Sequence, residues 1–210
     1  MIIQKPRKNN ILIKTRQLLE EIEDEELINK QIENVTLENI EIYDVKFETL
    51  KLINTEITNS KLEKNTFTDI TFENCNFSNT SFENSIFIRC EFINCKMTGC
   101  NFIEARLYNV SFKETNINYA NLSTTSMENV TFKKSGLRNS NFQENQLKNI
   151  YFEKADLTQA MISKTSFKNI DLSDSIIEGI SISIDDIRGA TINQFQAVDL
   201  LYLIGVKIKI

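Results

Sequence analysis

Six phenylalanines, Phe67, Phe72, Phe77, Phe82, Phe87 and Phe92, stand five residues apart. Two residues before them lie Asn65, Ile70, Cys75, Thr80, Ser85 and Cys90, and the intervening positions are mostly polar. Neither regular secondary structure has a period of five. Five residues on an α-helix turn through about 500°, so a fixed face is lost within two steps. A strand changes side at every residue, so every fifth side chain would alternate. The fifth residue and the one two before it both stay inward only if the chain turns a corner once per unit. That predicts a rectangular coil, with coils stacked into a solenoid.

The register runs far beyond this stretch. Every position whose number ends in 2 or 7, from Ile32 to Ile182, is Ile, Leu, Met or Phe, with no insertion or deletion across thirty-one units. Residues 20 apart sort by size. Leu50, Ile70, Val110, Val130, Ile150 and Ile170, with Cys90, form one large inward column, whereas Thr55, Cys75, Cys95, Thr115, Ser135 and Ala155 are small. The same spacing collects Phe72, Phe92, Phe112, Phe132 and Phe152 into one ladder. Four units therefore make one coil, and seven to eight coils at the strand spacing give a rod about 35–40 Å long. Asparagine recurs at the last position of the unit, as Asn34, Asn54, Asn74, Asn94 and as Asn109, Asn129, Asn149, Asn169. It tolerates left-handed backbone at corners and can hydrogen-bond along the rod axis.

This unit, a small residue, a polar residue, Leu or Phe, then two polar residues, resembles that of the pentapeptide-repeat family. The resemblance implies an all-β fold: a right-handed quadrilateral β-helix, expected over residues 30–192. Residues 1–29 read as a loose basic tail (Lys5, Arg7, Lys8) and a capping helix. That helix spans about Lys14 to Asn29, with Leu18, Leu19, Ile22, Leu27 and Ile28 on its apolar face. Residues 193–210 read as a helix with Asn193 as N-cap and Gln196 completing a capping box, stopped by Gly205 and followed by a short strand, Val206–Ile210. Its apolar stripe, Phe195, Val198, Leu201 and Tyr202, exceeds what one coil can cover. It resembles the C-terminal helix through which members of this family dimerise, so a homodimer is expected.

The chemistry inventory is mostly negative. The chain has no histidine, and Cys75, Cys90, Cys95 and Cys100 all fall at the inward small position without a metal-binding spacing. No phosphate loop or nucleophile motif occurs. A binding protein without catalytic residue, metal or cofactor is expected, and, lacking a leader or membrane-spanning stretch, a cytoplasmic one.

Function then falls to the outside of the rod. The net charge is −5, which disfavours direct binding to nucleic acid. The side centred on Ile42, Leu62, Phe82, Phe102, Leu122 and Phe142 is the most acidic, carrying Glu41, Asp44, Glu63, Glu83, Glu104 and Glu144 against Lys61, Lys64 and Lys164. An acidic face on a narrow rod can occupy a basic groove that normally holds DNA. In the Qnr-type branch of the family, the resemblance implies mimicry of B-form DNA, engagement of DNA gyrase and topoisomerase IV, and protection from fluoroquinolones. The alternative is a plain protein-interaction scaffold with another partner.

Overall fold

The computed structural model describes residues 3–7 and 12–207. The chain forms a right-handed, four-sided parallel β-helix of about eight turns. Strand partners lie 20 residues apart throughout the repeat: Phe67 pairs with Phe47 and Phe87, and Phe72 with Leu52 and Phe92. The pairing then continues through Leu107 and Phe112 to Met127, Phe132, Leu147 and Phe152. We number the sides by their centres: one (Phe47, Phe67, Phe87), two (Leu52, Phe72, Phe92), three (Ile57, Phe77, Met97) and four (Ile42, Leu62, Phe82).

The corners account for the polar part of the unit. Asn34, Asn54, Asn74 and Asn94 have φ of 57°, 48°, 55° and 52°, the left-handed region that Asn enters at low cost. Their amides stack as expected: Asn54, Asn74 and Asn94 each donate Nδ2 to the Oδ1 of the Asn one coil earlier, at 3.3, 3.3 and 2.8 Å. The second column does the same from Asn129 to Asn109 and from Asn149 to Asn129.

Inside, the phenylalanines are buried and stacked. Along side two the ring centroids of Phe72, Phe92, Phe112, Phe132 and Phe152 follow at 4.4, 4.9, 5.0 and 5.2 Å, within 11° of parallel. The large inward column marks a wide corner, where sides one and two run as single eight-residue strands such as Ile86–Ile93 and Arg106–Lys113. At the corners of Thr80 and Ser85 the chain closes tightly instead, Thr80 N donating to Phe77 O at 3.0 Å and Ser85 N to Phe82 O at 3.1 Å. The small residues also have a polar task. Thr80, Ser85, Thr115 and Thr165 donate their hydroxyls to the carbonyls of Ile57, Leu62, Phe92 and Phe142 in the coil below. Cys100 Sγ does likewise to Phe77 O at 2.9 Å. Buried hydroxyls and thiols thus satisfy buried carbonyls, and size is only half of what the position selects.

The amino-terminal end corrects the expected capping helix: no residue from Lys14 to Asn29 is helical. Ile13–Thr15 pairs with Lys30–Ile32, and Glu26–Ile28 pairs with Lys46–Glu48. Leu27 falls opposite Phe47 at the 20-residue interval and is buried, so the five-residue register starts earlier than Ile32. The strand edge of the first complete coil needs hydrogen-bond partners, and a strand supplies them where a helix cannot. A turn around Leu18, itself buried, helps to close the end. The described part of the tail is not loose either; residues 3–7 lie along the rod, as detailed below.

At the other end, Ser183 caps a one-turn helix, Ile184–Ile187, which replaces a strand in the last coil. The Asp186 carboxylate accepts from the amides of Lys164 and Thr165, closing the polar column. The C-terminal helix, Gln194–Leu200, has the capping box of Asn193 and Gln196. It continues as a 3₁₀ turn to Ile204 and stops at Gly205, φ 73°. Of the expected terminal strand, Val206 and Lys207 are not in a strand, and the remainder lies outside the described residues.

Candidate protein-binding surface

All six candidate acidic residues fall on side four or on the corner that follows it. Glu41 precedes a side-four centre, Glu63 and Glu83 follow one, and Asp44, Glu104 and Glu144 occupy corners with φ of 58°, 58° and 55°. Asp, like Asn, tolerates a left-handed corner, whereas Glu has no such preference.

The structure divides the six into two kinds. Glu41 receives Lys61 Nζ at 2.8 Å and the Tyr43 hydroxyl at 3.0 Å, and these hydrogen bonds hold its carboxyl below the usual carboxylate range. Glu144 receives Lys164 Nζ at 2.8 Å, and this hydrogen bond raises the lysine in turn. Both pairs span 20 residues and stitch adjacent coils, as do Glu26–Lys46, Glu128–Lys148 and Lys133–Glu153 on other sides. Among the described residues no ion pair engages Asp44, Glu63, Glu83 or Glu104. Glu63 and Glu83 occupy the same position on adjacent coils, since Lys64 N donates to Glu83 O at 2.9 Å. Glu83 accepts from the Asn101 amide at 3.3 Å, which leaves its charge intact. The middle of side four therefore carries Glu63, Glu83 and Glu104 in no ion pair among the described residues, with Lys64 at the corner beside Glu63, between ends whose glutamates are paired. The sequence showed the count of charges but not which lysine meets which glutamate.

The second candidate surface is the carboxy-terminal end. Phe195 is 76% exposed and Val198 50%, while Leu201 is half-buried. Tyr202 is partly tied down, its hydroxyl donating to Ile180 O at 2.7 Å. Leu200 and Leu203 pack on the rod end, and Ile204 and Val206 join the outward apolar face. Gln196, beyond its capping role, is buried and donates Nε2 to Leu172 O and Ser175 O, filling carbonyls of the last coil. That second role was not readable from a capping box alone.

The cysteines are packing residues with a donor. Burial pushes the Cys90 and Cys100 thiols up to about 12, far from the thiolate that metals and electrophiles require. Among the described residues no three His, Cys, Asp or Glu converge as a metal site, and no helix is long and apolar enough to cross a membrane.

Comparison with known proteins agrees with this architecture. A family model described as the pentapeptide repeat region matches residues 65–142 and, overlapping, 85–162. Two structures of QnrB1, a plasmid-mediated fluoroquinolone resistance protein, both of trypsin-treated single-residue variants, are similar at 22% identity, with TM-scores of 0.54 and 0.50; each alignment covers 86% of this chain and 90% of that one. HetL, a pentapeptide repeat protein involved in heterocyst differentiation regulation from the cyanobacterium Nostoc sp. strain PCC 7120, aligns at 11% identity and TM-score 0.47 over 85% of this chain and 95% of its own. No curated sequence matches. Proteins of this kind are generally structural or binding proteins rather than enzymes. With its unit repeated in unbroken register, its coil four units round and a family model fitted to its middle, the chain is a pentapeptide-repeat protein.

Proposed function

We propose that this protein is a non-enzymatic, DNA-mimicking ligand of a type II topoisomerase, DNA gyrase or topoisomerase IV, which it protects from fluoroquinolones in the cytoplasm. The observation that carries this reading is that Glu63, Glu83 and Glu104, on a rigid, narrow rod, are held in no ion pair among the described residues. A basic groove shaped for a duplex offers partners to these unpaired carboxylates, and complementary potentials steer such partners together. The likeness in fold to QnrB1, a fluoroquinolone resistance protein, supports the protective role in this reading. A homodimer joined through Phe195 and Val198 doubles the length of the rod and covers the apolar end.

The test is direct binding to purified topoisomerase without DNA. Glu63→Lys, Glu83→Lys and Glu104→Lys together are expected to weaken binding about tenfold or more, and raised salt to mimic the loss. Stability is expected to stay within about 1 kcal/mol, as for other surface changes. Equal binding by triple variant and parent rules side four out. The paired ends, Glu41–Lys61 and Glu144–Lys164, favour the second reading, an interaction scaffold for a different protein. Under that reading the topoisomerase binds neither form.

A further inference from the structure

The corner between sides one and two holds an arrangement that the proposed function does not use. Residues 3–7 cross the coils along the rod axis. Gln4 N donates to Asn109 Oδ1 at 3.3 Å, Lys5 Nζ lies 3.8 Å from Glu91, and Arg7 N donates to Asp69 Oδ1 at 2.9 Å. The acceptors are fixed by the rod itself. Asp69 is buried and gripped by Arg89 through two bonds of 2.6 and 2.7 Å, and Asn109 is the first member of its amide column. Burial opposes the charge on Asp69, but the Arg89 guanidinium and the Arg7 amide outweigh it and keep the carboxyl below the usual range. Glu73 adds a further carboxylate beside the path, itself held by Lys51 Nζ at 3.1 Å, so that Glu91 is the carboxylate here that meets no cation of the rod among the described residues.

The occupant is basic and its side chains are largely exposed. Its sequence reads Gln4-Lys5-Pro6-Arg7-Lys8, the Lys5 side chain is 80% exposed, and Gln4 and Arg7 are exposed as well. Pro6 favours an extended conformation and cannot donate to a strand. A groove of about 560 Å³ remains beside the segment, with Pro6, Thr71, Glu73, Glu91 and Ile93 among its walls. A rigid row of preset acceptors, with Glu91 open to an outside cation and a groove only partly filled by an exposed basic segment, has the character of a site for an exchangeable ligand.

We infer that Asp69, Glu73, Glu91 and Asn109 form a docking stripe for an extended basic peptide segment of a partner protein. The chain's own Ile3–Arg7 occupies the stripe in the free state and must leave for the partner to bind. The stripe lies away from side four, so it is independent of the topoisomerase reading.

The test uses the full chain and, as probe, a fluorescein-labelled decapeptide with the sequence of residues 1–10, followed by fluorescence anisotropy. Lys5→Glu with Arg7→Glu, which repels the resident segment from the stripe, is expected to raise probe affinity about tenfold over the parent. Glu73→Lys with Glu91→Lys is expected to abolish binding in both backgrounds, and raised salt to weaken it in the released variant. The salt series needs no stripe substitution and so stands even if that variant folds poorly. Equal affinity of parent and released variant, or binding indifferent to both stripe charge and salt, overturns the inference. A dimer of the parent that Lys5→Glu with Arg7→Glu abolishes overturns the partner assignment, because the segment then docks on a second copy.

Discussion

Phe112→Ala removes the middle ring of the side-two stack. The ring is wholly buried and lies 4.9 Å from Phe92 and 5.0 Å from Phe132, nearly parallel to both. A phenylalanine buries on the order of 150 Å² or more. At about 25 cal/mol per Å², the ring accounts for roughly 3 kcal/mol once the alanine methyl is allowed for. The site cannot collapse, because Phe92 and Phe132 are fixed by the hydrogen bonds of their own coils, 20 residues to either side. A cavity is left, and the loss is expected toward the upper part of about 3–5 kcal/mol. Stability in a solenoid is nearly a sum of neighbouring-coil terms, so a weak coil in the middle is also expected to uncouple the two halves. Urea unfolding followed by far-ultraviolet circular dichroism reads both the midpoint and the breadth of the transition. Leu37→Ala, at a half-buried centre in the first coil, serves as the control and is expected to cost clearly less. A loss below about 1 kcal/mol at Phe112, or equal losses at the two sites, refutes the stacking argument.

Four further outcomes are expected. Replacing Cys75, Cys95 and Cys100 by Ser, which keeps a donor for the carbonyl below, is expected to cost less than replacing them by Ala, as chemical denaturation will show. Between about pH 9 and about 12 the folded Cys90 and Cys100 keep protons that the unfolded chain loses, so stability is expected to fall as pH rises through that window and to fall less in a Cys-to-Ser variant. Arg89→Ala strands a buried carboxylate and is expected to cost about 3 kcal/mol. Asp69→Asn with Arg89→Asn is expected to recover most of it in the same unfolding assay, because Asn fills this column from Asn109 to Asn169. In the proposed dimer, Phe195→Glu with Val198→Glu is expected to halve the mass seen by light scattering, and a monomeric parent would refute the interface.

What could be read from the sequence was whatever repeats. Phe67 to Phe92 gave the corner-turning unit, and the size columns at 20-residue spacing gave four sides before any coordinate. The Asn columns and the Asn193–Gln196 box were equally open to reading, because each is a local rule with one geometric solution. The amino-terminal end was misread for a physical reason. Leu18, Leu19, Ile22 and the glutamates between them have helical spacing and good helix propensity, but an open strand edge takes a strand. The signal that could have corrected it was Leu27 with Asn29, a centre and a corner in register with Phe47 and Thr49. Charge pairing was legible only in part. Lys61, two residues before Glu63, reaches back one coil to Glu41 instead, a choice made by side-chain direction rather than by sequence distance. The path of residues 3–7 has no periodic signal at all, since its partners, Asn109, Glu91 and Asp69, are far away in sequence.

The central claim, that an acidic rod takes the place of DNA on a topoisomerase, is tested most directly by gyrase supercoiling in the presence of ciprofloxacin, with and without the purified protein. The account predicts that low-micromolar protein restores supercoiling, and that the variant with Glu63, Glu83 and Glu104 all changed to Lys does not. Supercoiling unchanged by the parent, with neither rescue nor inhibition, contradicts it.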